Sequence, residues 1–272
     1  MMKDTVQLNN GVAMPRLGLG VFRAPRGEAT QQAVLEALRI GYRHIDTARV
    51  YGNELDVGDA VRQSGLEREE VFITTKLWNE DQGYDQALRA FESSRRRLGF
   101  DHIDLYLLHW PVPEKRLDSW RALERIVSEG GARAIGVSNF MNRHLDELLL
   151  TASVVPAVNQ IEVSPFLQQR PTRALCASRG IVVAAYSPLT KGKRLDHPVV
   201  VEIARALQRT PAQVLLRWGV QQELAVLPKS TRPERIRENA AIFDFELDAD
   251  AMQRLDALEE GLVTGWDPSA VP

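Results

Sequence analysis

One unit repeats eight times along this chain: a short β-branched run followed by a segment of helical spacing. The runs are "RLGLGV" near 17, "RHIDTA" near 44, "VFITTK" from 71 and "IDLYLLH" from 103. They continue with "ARAIGVS" near 133, "AVNQIEV" from 157, "IVVAAYS" from 181 and "LAVLPKS" from 224. Successive runs start about 24 to 32 residues apart, with one longer gap before the last. Alternation at this period demands parallel strands joined by right-handed crossovers. Eight such units favour an α/β fold closed as a (β/α)8 TIM barrel over an open doubly wound sheet.

The intervening segments support this. In 28–40, Val34, Ala37 and Leu38 share a helical face; in 82–98, Tyr84, Leu88, Phe91 and Leu98 do. Thr210-Pro211-Ala212-Gln213 reads as a capping box with Pro at the first helical position, and Thr231 to Glu234 repeats the pattern. The long gap has room for an added helix, over 198–208 before 211–221. An Asn-Gly turn in "TVQLNNGVAMPRLGLG" predicts a β-hairpin ahead of the barrel. No linker or shift in composition divides residues 1–272, so the chain reads as one domain. The tail after Ala257, "LEEGLVTGWDPSAVP", reads as a loop that packs over something, and its shortness predicts an open, permissive pocket.

A 44% hydrophobic content suffices for the two apolar layers a barrel needs, and a net charge of -2 offers no field for nucleic acid or a membrane surface. The single cysteine, Cys176, excludes an internal disulfide framework and fits a reducing compartment. With no apolar leader and no run of ~18 apolar residues, the expectation is a cytoplasmic protein.

In barrels of this class the site gathers at the C-terminal strand ends. Here those ends carry Gly20-Val21-Phe22, Asp46 with Tyr51, Lys76-Leu77-Trp78, His109-Trp110, Ser138-Asn139, Gln160, Tyr186-Ser187 and Lys229-Ser230. Singly, each has an ordinary structural role: Asp46 as a turn cap, Tyr51 as a packed aromatic, Lys76 as a solvated strand end, His109 as a core histidine. Together they can do chemistry. A phenol of pKa ~10 donates poorly near neutrality, and a neighbouring ammonium favours its phenolate. A buried ammonium in turn needs a carboxylate such as Asp46. A histidine beside them can hold a substrate oxygen.

The motifs "YRHIDTARVYGNE", "TTKLW", "DLYLLHWPVP", "RAIGVSNF", "AVNQIEVSPFLQQ", "AYSPL" and "LPKSTRPERIREN" run in order through the whole chain. In these the sequence resembles the aldo-keto reductases, most of all the bacterial 2,5-diketo-D-gluconate reductases. The resemblance implies reduction of aldehydes and ketones, among them small dicarbonyls such as methylglyoxal or 2,5-diketo-D-gluconate, by a monomer. It casts Tyr51 as general acid, Lys76 as the group that depresses its pKa, Asp46 as the partner of Lys76, and His109 as the residue that orients the carbonyl. It implies NADPH (NADP+) bound without a Rossmann domain, NADH being the weaker cofactor; "GLGVFRAPRG" has no G-x-G-x-x-G pattern. Gly20, Val21, Phe22 and Asp46 would lie near the cofactor. Ser138, Asn139 and Gln160 would hold its carboxamide, Tyr186 would stack on its ring, and Ser187 and Leu189 would line the pyrophosphate path. Lys229, Ser230, Arg232 and Arg235 would surround the 2′-phosphate, with Glu238 and Asn239 near the adenine. Phe22, Trp78, His109, Trp110 and Trp266 would line the substrate pocket.

Two departures stand out. "EVSPF" replaces a more usual His-Pro-Tyr pattern, and "SPLTKGKRLDHP" is basic where relatives are Gly-rich; Lys191, Lys193 and Arg194 read as solvated rather than as pyrophosphate ligands. A noncatalytic nicotinamide-binding regulatory protein on the same fold is the alternative, but its expected mark, loss of Tyr51 or Lys76, is absent from the sequence. A metal-dependent hydrolase is hinted at by His44 and Asp46 with His109, yet the five histidines form no tight ligand spacing, so no metal is expected.

Overall fold

The computed structural model describes residues 4–272. Eight parallel strands form its centre: β3 (Leu19–Gly20), β4 (His44–Asp46), β5 (Phe72–Leu77), β6 (Ile103–Leu108), β7 (Ala132–Ser138), β8 (Val158–Glu162), β9 (Val182–Tyr186) and β10 (Ala225–Leu227). The ring closes where Leu17 bridges Val226 and Gly20 bridges Lys229, with the Gly18 N–H donating to the Val226 carbonyl at 3.0 Å. These contacts join the two end strands of the eight-stranded sheet, β3 and β10, so the barrel sheet is closed. All eight expected runs are strands of this barrel.

A predicted hairpin, β1 (Thr5–Gln7) and β2 (Ala13–Pro15), turns at Gly11, whose φ of 86° suits glycine. It plugs the N-terminal end. Asn9 donates to the Pro156 carbonyl and Asn10 to that of Arg133, just before β8 and within β7. Leu8 and Met14 thereby cap an inner cluster in which Leu105, Leu107, Ala184 and Ala225 fill the barrel. The outer cluster packs strand faces against the helices. Among these helices are α1 (Glu28–Ile40), α2 (Glu54–Gln63), α3 (Tyr84–Leu98), α4 (Arg116–Ser128), α5 (Asn142–Thr151) and α6 (Arg170–Ser178). With two apolar faces sealed, a group of buried polar residues, among them Asp46, Lys76, His109, Asn139 and Gln160, gathers at the open C-terminal end, while Asp104 and His44 are buried nearer the other. Gly58 on α2 is required by contact: an added Cβ would lie 2.1 Å from the Leu98 carbonyl oxygen at the end of α3.

The long gap holds α7 (Pro198–Ala206) before α8 (Pro211–Gln221), and Thr210 and Gln213 form the expected capping box. The Thr231 cap is corrected. The next helix, α9 (Pro233–Ala240), is preceded by Arg232 as N-cap, with no side-chain cap. Proline lacks an N–H and holds the residue before it extended, so Pro233 takes the first helical position and moves the start past Thr231. After α10 (Ala249–Asp256) the tail runs across the C-terminal mouth. No helix among the described residues is long and apolar enough to cross a membrane.

Candidate active site

Neighbouring strands bring Asp46 and Lys76 together. Lys76 lies in β5 with its side chain 0% exposed, and its Nζ donates to Asp46 Oδ1 at 2.7 Å and to the Thr47 carbonyl at 2.8 Å. The third donor direction faces the Tyr51 hydroxyl at 3.5 Å. The other Asp46 oxygen accepts from Gln160 Nε2 at 2.7 Å, across the barrel from β8. The ammonium thus has two short acceptors and each Asp46 oxygen a short donor, the support a buried ion pair requires, while the third ammonium direction stays free to act on Tyr51. Burial draws the Lys76 pKa below its ordinary value, and Asp46 opposes that shift.

Tyr51 ends a short 3-10 turn over Arg49–Tyr51, and Gly52, at φ 69°, terminates it. Asn53 fixes the turn from beneath: it accepts from Thr47 Oγ1 at 2.8 Å and donates to the Val21 carbonyl at 3.0 Å. Glu54, at the start of α2, is likewise turned inward, onto Thr75 and Arg97. The direction of the Tyr51 shift corrects the expectation of a depressed phenol. Burial pushes its pKa well above 10, and Asp46 and Tyr186 add to the rise. The phenol therefore carries its proton at neutrality, and the ammonium at 3.5 Å acts on whatever phenolate forms when that proton leaves.

His109 follows β6, its N–H bonded to the Leu77 carbonyl. Its ring stands edge-on to Tyr51 and Trp78, with centroids 5.8 and 5.3 Å away. Burial, helped by Lys76, holds the imidazole well below 6.5, so it is neutral, and its buried Nδ1 has no hydrogen-bond partner among the described residues. A neutral imidazole of this kind can donate to, or accept from, a substrate oxygen without adding charge.

The residues expected to hold the cofactor ring form one connected network. Ser138 Oγ donates to the Gln160 carbonyl, Asn139 Nδ2 donates to the His109 carbonyl at 2.9 Å, and Tyr186 OH donates to Asn139 Oδ1 at 2.8 Å. Asn139 at φ 64° and Ser187 at φ 48° are left-handed, as backbone held by its surroundings at working sites often is. Gly20 and Val21 are buried, their N–H groups bonded to the Pro228 and Asp46 carbonyls, whereas Phe22 is 45% exposed with its ring 5.0 Å from that of Tyr51. Leu189 is half-buried against the outer core.

Lys229, Arg232 and Arg235 are exposed around the start of α9, while Ser230 and Asn239 are buried and Glu238 half-buried. Arg237, elsewhere on α9, pairs with Glu36 at 2.7 Å and is this helix's one ion-paired arginine among the described residues. Three cations at a helix N-terminus suit a phosphate dianion. No group of three or more His, Cys, Asp or Glu able to hold a metal occurs among the described residues.

Trp110 is half-buried beside His109, and Trp266 of the tail stands 6.0 Å from it, ring to ring. The basic loop after β9 differs from expectation. Lys191 donates to the Thr264 carbonyl at 2.7 Å and Arg194 pairs with Glu260 at 2.7 Å, so both hold the tail; Lys193 is exposed. Sequence reading also missed Glu162, the buried last residue of β8, whose carboxylate accepts from Thr264 and Gly265. A signal was present, since Glu162 lies two residues beyond Gln160 and shares its strand face.

The model of the Aldo/keto reductase family matches residues 16–260. A glyoxal reductase of Bacillus subtilis is 49% identical over 267 residues, spanning 98% of this chain and 97% of its own. A morphine 6-dehydrogenase of Pseudomonas putida is 49% identical over 281 residues, spanning 98% and 95%. Among solved structures, a variant of Gox0644 in complex with NADPH superposes with a TM-score of 0.94 at 41% identity, over 99% of this chain and 98% of that one.

Proposed function

Because this chain belongs to the aldo/keto reductase family and is an oxidoreductase, we propose that it reduces aldehydes and ketones, small dicarbonyls foremost, with NADPH and with Tyr51 as the acid. The observation that carries this reading is the contact set of Lys76 Nζ, which touches Asp46, the Thr47 carbonyl and the Tyr51 hydroxyl at once. The glyoxal reductase among the relatives supports the substrate class, and the NADPH complex of Gox0644 supports the cofactor.

When bound, the reduced nicotinamide supplies a hydride to the carbonyl carbon. The chain's own residues do the rest. His109, neutral, orients the carbonyl oxygen toward Tyr51. The phenol gives its proton to that oxygen as negative charge builds there, and Lys76 meets the phenolate left behind. At 3.5 Å and an effective dielectric near 20, that attraction taken alone is about 5 kcal/mol. General-acid catalysis is worth ~10²–10⁴-fold, or roughly 3–5 kcal/mol, the same order as that bare attraction, which Asp46 on the same ammonium partly offsets. Asp46 keeps Lys76 charged against burial. Ser138, Asn139 and Gln160 would hold the carboxamide, with the Tyr186 ring beneath the nicotinamide. Lys229, Arg232 and Arg235 would take the 2′-phosphate, which gives NADPH its advantage over NADH.

Tyr51→Phe keeps the ring and removes the proton. Turnover of methylglyoxal should fall at least ~10²-fold with NADPH affinity within about twofold; a variant that still turns over would sink the assignment. Lys229→Ala with Arg235→Ala removes two charge-assisted contacts, so NADPH should lose about 10²-fold in affinity and NADH little. Equal losses would count against a 2′-phosphate site there.

A further inference from the structure

Glu162 takes no part in the proton relay, yet it is a buried carboxylate at the mouth, 5% exposed. Its Oε1 accepts from the Thr264 N–H at 3.0 Å and from the Thr264 hydroxyl; its Oε2 accepts from the same N–H at 3.2 Å and from the Gly265 N–H at 3.3 Å. Lys191, from the loop after β9, reaches the other side of the same residue and donates to the Thr264 carbonyl at 2.7 Å. A Cβ built on Gly265 would sit 3.7 Å from both Glu162 Oε2 and Lys191 Nζ, so the two charges flank one peptide of the tail.

The ends of the tail are held independently. Leu262 N–H bonds to the Phe166 carbonyl, Glu260 pairs with Arg194, and the Ser269 and Val271 carbonyls accept from Arg143 and His144. Between these anchors the Thr264–Gly265 segment is bonded to the barrel through Glu162, and Trp266 follows it directly, 73% exposed and facing Trp110. A carboxylate has about four acceptor sites and is pointed here at three donors of one strap. We propose that Glu162 is a positioning residue: by seating Thr264 and Gly265 it sets Trp266 against Trp110 as the outer wall of the carbonyl pocket, while Lys191 ties the same segment to the loop after β9. The pocket is that of the reduction proposed above, on which this inference rests.

The test measures strap and pocket separately. In Glu162→Ala, amide exchange across 262–266 should accelerate about tenfold or more, since the acceptors are gone. The KM for a bulky aromatic aldehyde such as 4-nitrobenzaldehyde should rise about tenfold with kcat within about twofold, the mark of lost binding rather than lost chemistry. Glu162→Gln keeps one acceptor oxygen and should fall between. Trp266→Ala should raise the same KM, and adding Glu162→Ala to it should raise it no further, because both changes remove one wall. Unchanged exchange, independent KM effects that multiply, or a uniform fall in kcat for every carbonyl would each overturn the proposal. Accelerated exchange in a protein whose wild type reduces no carbonyl would overturn the reduction reading while leaving the seating of the strap by Glu162 in place.

Discussion

Two buried carboxylates, Asp46 and Asp104, sit at opposite ends of the same barrel and meet opposite partners. Asp46, at the mouth, is held by one fully buried lysine at 2.7 Å and one amide at 2.7 Å. Asp104, near the start of β6, is held by Arg68 at 2.6 Å, Arg133 at 2.8 Å and the Ile73 N–H at 2.9 Å. The difference lies in what the cation can still do. Arginine stays charged under all ordinary conditions, and its fork is spent on fixed acceptors. A buried lysine is a point charge whose pKa responds to its surroundings, and Lys76 keeps a direction open toward a protonated phenol. Burial of a charged pair alone therefore says little about function; an adjoining group able to exchange a proton says more.

Breaking the mouth pair should have the largest effect. Lys76→Met leaves Asp46 buried with Gln160 alone, which should cost about 3–5 kcal/mol of stability and at least ~10²-fold in turnover. Adding Asp46→Asn removes the stranded charge. Urea unfolding should then recover most of the stability while turnover stays lost. Recovery of both would mean that the pair is only a staple, like the one at the bottom.

Asp104→Ala makes the opposite claim. It orphans the Ile73 N–H and loosens two arginines, a loss of about 1–3 kcal/mol, yet kcat of the folded enzyme should stay within about twofold. A matching collapse of kcat would erase the distinction between the two ends.

How much of this contrast was legible in the sequence follows from the range of the interactions. The eight strands were, because each apolar run carries its own periodicity. Asp46, Lys76 and His109 were, because each closes such a run, and parallel strands bring successive ends side by side. The polarity of Tyr51 was not. Its raised pKa comes from burial in the assembled barrel and from the electrostatic influence of groups as distant as Tyr186, and no local pattern reports that. Glu162 escaped notice because its partners lie 102 residues away in a tail without regular structure. Thr231 misled because a capping pattern is counted in spacing, whereas Pro233 decides the start by geometry.

Two buried histidines offer a second comparison, since one lies toward each end. His109 is at the mouth. His44 is buried nearer the hairpin, its ring bonded to the Pro15 carbonyl and Thr74 Oγ1. Burial lowers both below 6.5, His109 the further. Below pH 6.5 the unfolded chain takes up protons that these folded rings refuse. Stability should therefore fall as pH drops through 6.5, by up to ~1.4 kcal/mol per pH unit for each ring, and level off only below the folded pKa. Unfolding free energies at pH 7.5 and 5.5 should show the loss, and His109→Asn should remove the larger share of it. An unchanged slope in His109→Asn would mean that the mouth imidazole is already charged, contrary to a neutral group orienting a carbonyl.

The smallest effect should come from Arg133→Met, and it decides whether the bottom carboxylate is over-supplied with partners. Arg133 is 42% exposed, so water screens and replaces much of its bond to Asp104, whereas Arg68, at 16%, also donates to the Val71 and His102 carbonyls and covers the Phe100 ring at 4.5 Å. An exposed ion pair is worth about 0–1 kcal/mol. Arg133→Met should fall in that range, and Arg68→Met should exceed it, since that substitution also strips two carbonyls of their donor. If the two losses were equal, Asp104 would depend on both cations as Asp46 depends on Lys76, and the extra arginine could no longer explain why one buried carboxylate is inert and the other poised.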